Sequence, residues 1–171
     1  MPWREALSLP RVKSVTAGKM GWVLDVVWSD NTKTRVDLTG NVHRSKHFHA
    51  FVDDPKAFRD VAPVNFGSGI GWENGLDYSA STLQTLAEEQ RPMKGKDLTA
   101  FEQKYDLNTA EMAALLEIAE RTVRAYKTAN VLPTTIAMSL RSLDADPARF
   151  AAHFRPIERR DRGRPRKVVR A

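Results

Sequence analysis

The 171 residues include no cysteine. Disulfide frameworks, thiolate zinc sites, iron-sulfur clusters and cysteine nucleophiles are therefore excluded, and any chemistry must use other groups. Long apolar runs are missing too. None approaches the roughly 18 residues needed to cross a bilayer, and Met1-Pro2-Trp3-Arg4-Glu5 lacks the apolar core of a signal peptide. These absences predict a cytoplasmic protein with no membrane partner.

Catalytic patterns are equally sparse. There is no G-x-S-x-G elbow, no phosphate-cradling loop followed by Lys-Ser or Lys-Thr, and Gly67-Ser68-Gly69 is too short a match to count. Asp53-Asp54 and Glu88-Glu89 are adjacent carboxylates that diverge and read as solvated charge. His43, His47 and His49 cluster, but the first pair shares a face only in a helix and the second only in an extended segment. The sequence therefore predicts no metal, no cofactor and no enzyme.

What is present fits a globular chain: 42% of residues are hydrophobic and 28% charged. The length suits one ordinary domain or two small ones. The net charge of +6 is unevenly spread. Residues 1 to 96 carry 13 basic and 11 acidic side chains, residues 97 to 144 carry 5 and 7, and residues 145 to 171 carry 9 and 3. The excess sits in the last stretch, which predicts three parts: a domain at 1–92, a second at 97–155 and a basic, disordered tail at 156–171.

In the first part Trp22, Leu24, Val26 and Trp28 alternate with Val23, Asp25 and Val27, the period of a strand with one buried face. Ser29-Asp30-Asn31-Thr32 is a turn into a second strand holding Thr34, Val36 and Leu38. A strand at Val12 to Thr16 joins them. Asp54-Pro55 opens a short helix carrying Ala57 and Phe58, and Val61 to Phe66 and Ile70 to Trp72 are further strands. Ser79 caps a helix with Leu83, Leu86, Ala87 and Gln90 on one side. The predicted class is α+β, one small antiparallel sheet with helices. Within it, Asn74-Gly75 marks a turn needing positive φ, with Asp77 capping or bracing it. The run Gly71-Trp72-Glu73-Asn74-Gly75-Leu76-Asp77-Tyr78-Ser79 resembles a small bacterial domain family of unknown function, over about residues 11 to 90. That resemblance implies a compact α+β fold and no particular activity.

The second part reads as helices. Thr99-Ala100-Phe101-Glu102 and Asn108-Thr109-Ala110-Glu111 both have capping-box spacing. Inward positions are Leu98, Phe101 and Tyr105, then Met112, Leu115 and Leu116, then Val123 and Tyr126 on a third helix from Glu120 to Ala129. A fourth helix starts at Thr134 or Thr135 with Ile136, Leu140 and Leu143, and Asp146-Pro147 starts a fifth with Phe150 and Phe154. The order resembles the lambda-repressor-like, Xre-type helix-turn-helix family, carried by Leu107, Met112-Ala113, Leu115-Leu116, Ile118, Thr122-Val123, Tyr126 and Leu132-Pro133. The resemblance implies an all-α five-helix domain that places the third helix in the major groove and the start of the second, at Thr109, on a phosphate. The residues implied to meet DNA are Thr109, Glu120, Arg121, Thr122, Arg124 and Lys127. Two positions depart from the family: Glu117 stands where glycine is usual, and Ala119 where a serine cap is usual.

In the tail, Arg162, Gly163, Arg164, Pro165, Arg166 and Lys167 resemble an AT-hook. Glycine lets the backbone approach the floor of a narrow groove, proline keeps it extended, and arginines match the potential of A·T-rich DNA. A generic basic tail tracking phosphates is the alternative. The combined expectation is a transcriptional regulator that binds double-stranded DNA as a homodimer, with the N-terminal domain dimerising or binding a protein partner. The competing expectation is an interaction protein such as an antitoxin or adaptor, with autoregulatory DNA binding or none.

Overall fold

The computed structural model describes residues 9–157. The chain divides between Arg91 and Pro92 into two compact units. No helix among the described residues is long and apolar enough to cross a membrane.

In the first unit β1 (Val12–Ala17), β2 (Val23–Trp28) and β3 (Lys33–Asp37) form an antiparallel sheet in that order. The alternation along β2 does what its period requires: Leu24, Val26 and Trp28 are buried, with Leu24 opposite Val36 and Val26 opposite Val15. The β2–β3 turn is closed by Asp30, whose carboxylate accepts from the Thr32 hydroxyl at 2.6 Å and the Thr32 N–H at 2.9 Å, while Asn31 takes φ 65°. Helices α1 (Thr39–Arg44) and α2 (Ala50–Asp53) follow, then a single 3-10 turn at Ala57–Arg59 where a short helix was expected.

A second antiparallel sheet follows, of β4 (Ala62–Val64), β5 (Gly69–Gly71) and β6 (Asp77–Ser79). The expected strand through Phe66 stops at Val64 because Asn65, Phe66 and Gly67 all adopt positive φ, at 49°, 56° and 81°. Gly67 is required there: a Cβ would lie 2.3 Å from the Val12 carbonyl oxygen. Helix α3 (Ala80–Gln90) is capped by Ser79, whose hydroxyl accepts from the Thr82 N–H at 3.1 Å. Its Leu83 and Ala87 are buried, and the Gln90 side-chain amide makes two bonds with the Asp37 main chain.

The centre of this unit is aromatic. Phe48, Phe51, Phe58 and Trp72 pack with ring centroids 5.1 to 5.9 Å apart, and Trp72 Nε1 donates to the Phe58 carbonyl at 2.9 Å. Each such pair is worth about 0.5–1.5 kcal/mol beyond its buried area. In the following turn Gly75 has φ 83°, as the Asn-Gly pair predicts. Asn74, not Asp77, braces it by accepting from the Leu76 N–H at 3.1 Å; Asp77 instead lies in β6.

The second unit contains α4 (Gly95–Lys104), α5 (Thr109–Leu115), α6 (Glu120–Lys127), α7 (Thr134–Ala145) and α8 (Pro147–His153). Leu98, Met112, Val123 and Leu140 are its fully buried centre, one from each of α4 to α7. Asn108 caps α5 as predicted, accepting from the Glu111 N–H at 2.9 Å while Glu111 accepts from the Asn108 N–H at 2.8 Å. Asp146 caps α8, accepting from the Ala148 N–H at 2.9 Å. The expected Thr99–Glu102 box does not form. Helix α4 starts at Gly95 with Asp97 accepting from the Lys94 N–H at 2.7 Å, and the Thr99 hydroxyl donates back to the Gly95 carbonyl. Helix α6 ends at Lys127, two residues before the expected Ala129.

The predicted fold class is thus corrected. The first half holds two separate three-stranded sheets instead of one, because helices and the left-handed turn interrupt the strand series. Eight α-helices occur among the described residues, three of them in the first unit. The second is not a clear five-helix all-α domain either. Helix α8 has seven residues and buries none of them; it rests on α4 through Phe150 stacked on Tyr105 at 4.3 Å.

Near that stack Lys104 Nζ lies 2.5 Å from the Asp144 carboxylate, which also accepts from the Tyr105 hydroxyl at 3.0 Å. The Lys104 bond, then the Tyr105 bond, hold the Asp144 carboxyl below its usual range against the opposing effect of desolvation. A carboxyl depressed in the folded state stabilises fully above its ordinary value of about 3.9 and loses that contribution as pH falls through the folded value. Asp144→Asn is therefore expected to lower the urea midpoint of the full chain at pH 6, with the gap to the parent closing towards pH 2.

Candidate nucleic-acid interface

Helix α6 carries most of the predicted contact residues, and its position is set by three devices. The first is the turn before it. Ala113 is buried in the α5 face, its carbonyl accepts from the Ile118 N–H at 2.9 Å, and Glu117 takes φ 54°. A left-handed glutamate costs of order 1 kcal/mol more than glycine, so the departure from the family pattern is a real strain. Ala119 is extended and offers no side-chain acceptor, leaving the start of α6 uncapped by side chains, as expected from its identity.

The second device is Gly95. Its N–H donates to the Ala129 carbonyl at 2.9 Å, and the Leu132 N–H donates to the Met93 carbonyl at 2.7 Å, so main-chain bonds bracket the end of α6. A Cβ on Gly95 would lie 2.2 Å from the Lys127 carbonyl oxygen. The start of α4 thus touches the last turn of α6 backbone to backbone.

The third is Lys127. Its ammonium lies 2.8 Å from Glu102 of α4 and donates to the Thr109 hydroxyl of α5 at 3.1 Å. Glu102 is buried, with 7% of its side chain exposed, and its Oε1 has no partner among the described residues. Lys127 and Thr109, both expected at DNA, are therefore turned to holding three helices together.

The remaining predicted residues are displayed. Val123 is the buried residue of α6, while Glu120, Arg121 and Arg124 are exposed and Thr122 is half-buried. Arg124 Nη2 lies 2.5 Å from Glu120 one turn earlier. Arg121 has no partner among the described residues. The six predicted tail residues, Arg162, Gly163, Arg164, Pro165, Arg166 and Lys167, lie outside the described residues. His43 lies in the last turn of α1 and His49 immediately precedes α2; no group of three metal-binding side chains gathers among the described residues.

Sequence reasoning missed Gly95 and Glu102. The second was legible: Glu102 follows Leu98 by one helical turn and so shares its inward side, a place where a carboxylate demands a cation. Nothing in the sequence marked Gly95, whose need arises only where two backbones meet.

No protein-family model matches the chain, and no curated protein matches it. Among solved structures, one described as a "Putative DNA Binding Protein" from Nitrosomonas europaea ATCC 19718 is 22% identical, over 80% of this chain and 87% of that one, with a TM-score of 0.43. At that score the likeness bears no weight for fold or function.

At an unencumbered first helical turn, alanine for glycine would stabilise by up to about 1 kcal/mol. At Gly95 the overlap with the Lys127 carbonyl reverses the sign. Gly95→Ala is expected to destabilise the full chain by roughly 2 kcal/mol or more in urea unfolding; a stabilised variant would remove this contact as a constraint.

Proposed function

We propose that this protein binds double-stranded DNA by setting α6 in the major groove, with Arg121 and Arg124 at base edges. The observation that carries the reading is the outer face of α6: two arginines on adjacent turns project from a short helix whose other side is fixed by Val123, Gly95 and Lys127. Arginine reads guanine through two parallel hydrogen bonds worth about 1–3 kcal/mol of discrimination. The exposed Glu120–Arg124 pair is worth only about 0.3–0.5 kcal/mol, so a base edge displaces it readily, and the freed Glu120 can accept from cytosine.

In this reading the protein acts as a transcriptional regulator, makes no covalent change to DNA, and binds as two copies on half-sites about one helical turn apart. Residues 97 to 144 carry a net charge of −2, so the sequence-independent attraction must come from residues 145 to 171, with 9 basic and 3 acidic side chains.

The same negative balance favours a second reading, in which the α6 face meets a basic protein. The test is selection of bound sequences from random duplexes with the full chain, followed by titration of the enriched duplex. Arg121→Ala and Arg124→Ala are each expected to weaken binding by about 5- to 150-fold, matching 1–3 kcal/mol, and to relax preference at one base pair. Failure to enrich any sequence, or parental binding by the double variant, overturns the DNA reading.

A further inference from the structure

The chain does not leave the second unit at the end of α8. It turns back, and the described residues end on a clamp built from the cap of α5. The Ile157 N–H donates to Glu111 Oε1 at 3.3 Å, and Asn108 Nδ2 donates to the Ile157 carbonyl at 3.4 Å. Glu111 is buried, and its other oxygen already accepts from the Asn108 N–H. Both faces of one peptide segment are thus gripped by the two residues that cap α5, beside Thr109 and the Lys127 ammonium bonded to it. Immediately beyond the clamp in sequence lie residues 158 to 171, with 7 basic and 2 acidic side chains.

We propose that the Asn108–Glu111 clamp on Ile157 fixes the starting point of the basic segment beside α5, so that its arginines contact duplex DNA on one defined flank of the site read by α6. The inference rests on the DNA reading above. An extended chain spans at most about 3.6 Å per residue, so Arg162 lies within about 18 Å of Ile157 and Lys167 within about 36 Å. At about 3.4 Å per base pair, that confines the segment to roughly the nearest five to ten base pairs. A tail released from the clamp would sweep a larger volume and reach either flank. With five residues of spacing lengthened to twenty, effective concentration falls as the −3/2 power of length, about eightfold.

The absence of cysteine makes the test direct. In the full chain, Val168→Cys supplies a unique thiol for an iron chelate that cuts DNA near itself. Bound to the enriched duplex, this protein is expected to cut within about twelve base pairs on one side of each α6 half-site. Two variants then probe the clamp while leaving the α5 cap intact. Ile157→Pro removes the N–H that Glu111 accepts, and is expected to broaden the cuts to both flanks with α6 protection retained. Insertion of fifteen glycine and serine residues between Ile157 and Glu158 is expected to weaken binding to the flanked site about eightfold, with affinity for a site cut back to the α6 bases unchanged. Scattered cuts from the Val168→Cys protein, or an unaltered pattern and affinity in both variants, overturn the clamp while leaving the α6 reading in place. No α6 protection in any of them, with no enriched duplex, brings down both.

Discussion

A half-buried ammonium joins three helices at one point. Lys127 of α6 meets the buried Glu102 carboxylate of α4 and the Thr109 hydroxyl of α5, and the outward face of α6 is set by where that nitrogen is held. A buried ion pair contributes little net stability, since desolvation consumes most of the attraction. What it does contribute is uniqueness: rotating α6 by one residue would strand a carboxylate in the core. Leucine or methionine at both positions would pack as well and specify less. The backbone contact at Gly95 acts in the same direction, because a helix that touches a carbonyl with its own Cα cannot slide.

This arrangement divides the charges of α6 between two tasks. Lys127 is committed inward, Arg124 is loosely tied to Glu120, and Arg121 is left facing water. Counting cations along the sequence makes the helix look uniformly basic. In the folded chain they form a graded set, in which availability for a partner depends on what each side chain already holds.

Local patterns were legible where one residue type has one physical use. The period of β2, the Asn74-Gly75 turn, and the caps at Ser79, Asn108 and Asp146 come from side-chain alternation and from oxygens placed to accept helix N–H groups. Reading failed where two local solutions competed. Thr99 and Glu102 have the spacing of a cap, but Asp97 sits closer to a better start, and Glu102 is drawn inward by a lysine 25 positions later. The single sheet expected for the first half failed for a related reason: three successive left-handed residues at Asn65 to Gly67 leave no sequence period, and only contact with the Val12 main chain makes them necessary. In the candidate site, the exposed arginines were legible and the internal roles of Lys127 and Thr109 were not, because pairing across helices is invisible to spacing within one.

The amide of Gln90 has a consequence for self-association. A strand at the rim of a sheet offers unpaired N–H and C=O groups that another chain can copy. At Asp37 both groups are already taken, the N–H by Gln90 Oε1 at 2.8 Å and the carbonyl by Gln90 Nε2 at 2.7 Å. A side chain from the end of α3 thus imitates a neighbouring strand for one residue. It closes that stretch of the rim to β-type polymerisation without adding a strand.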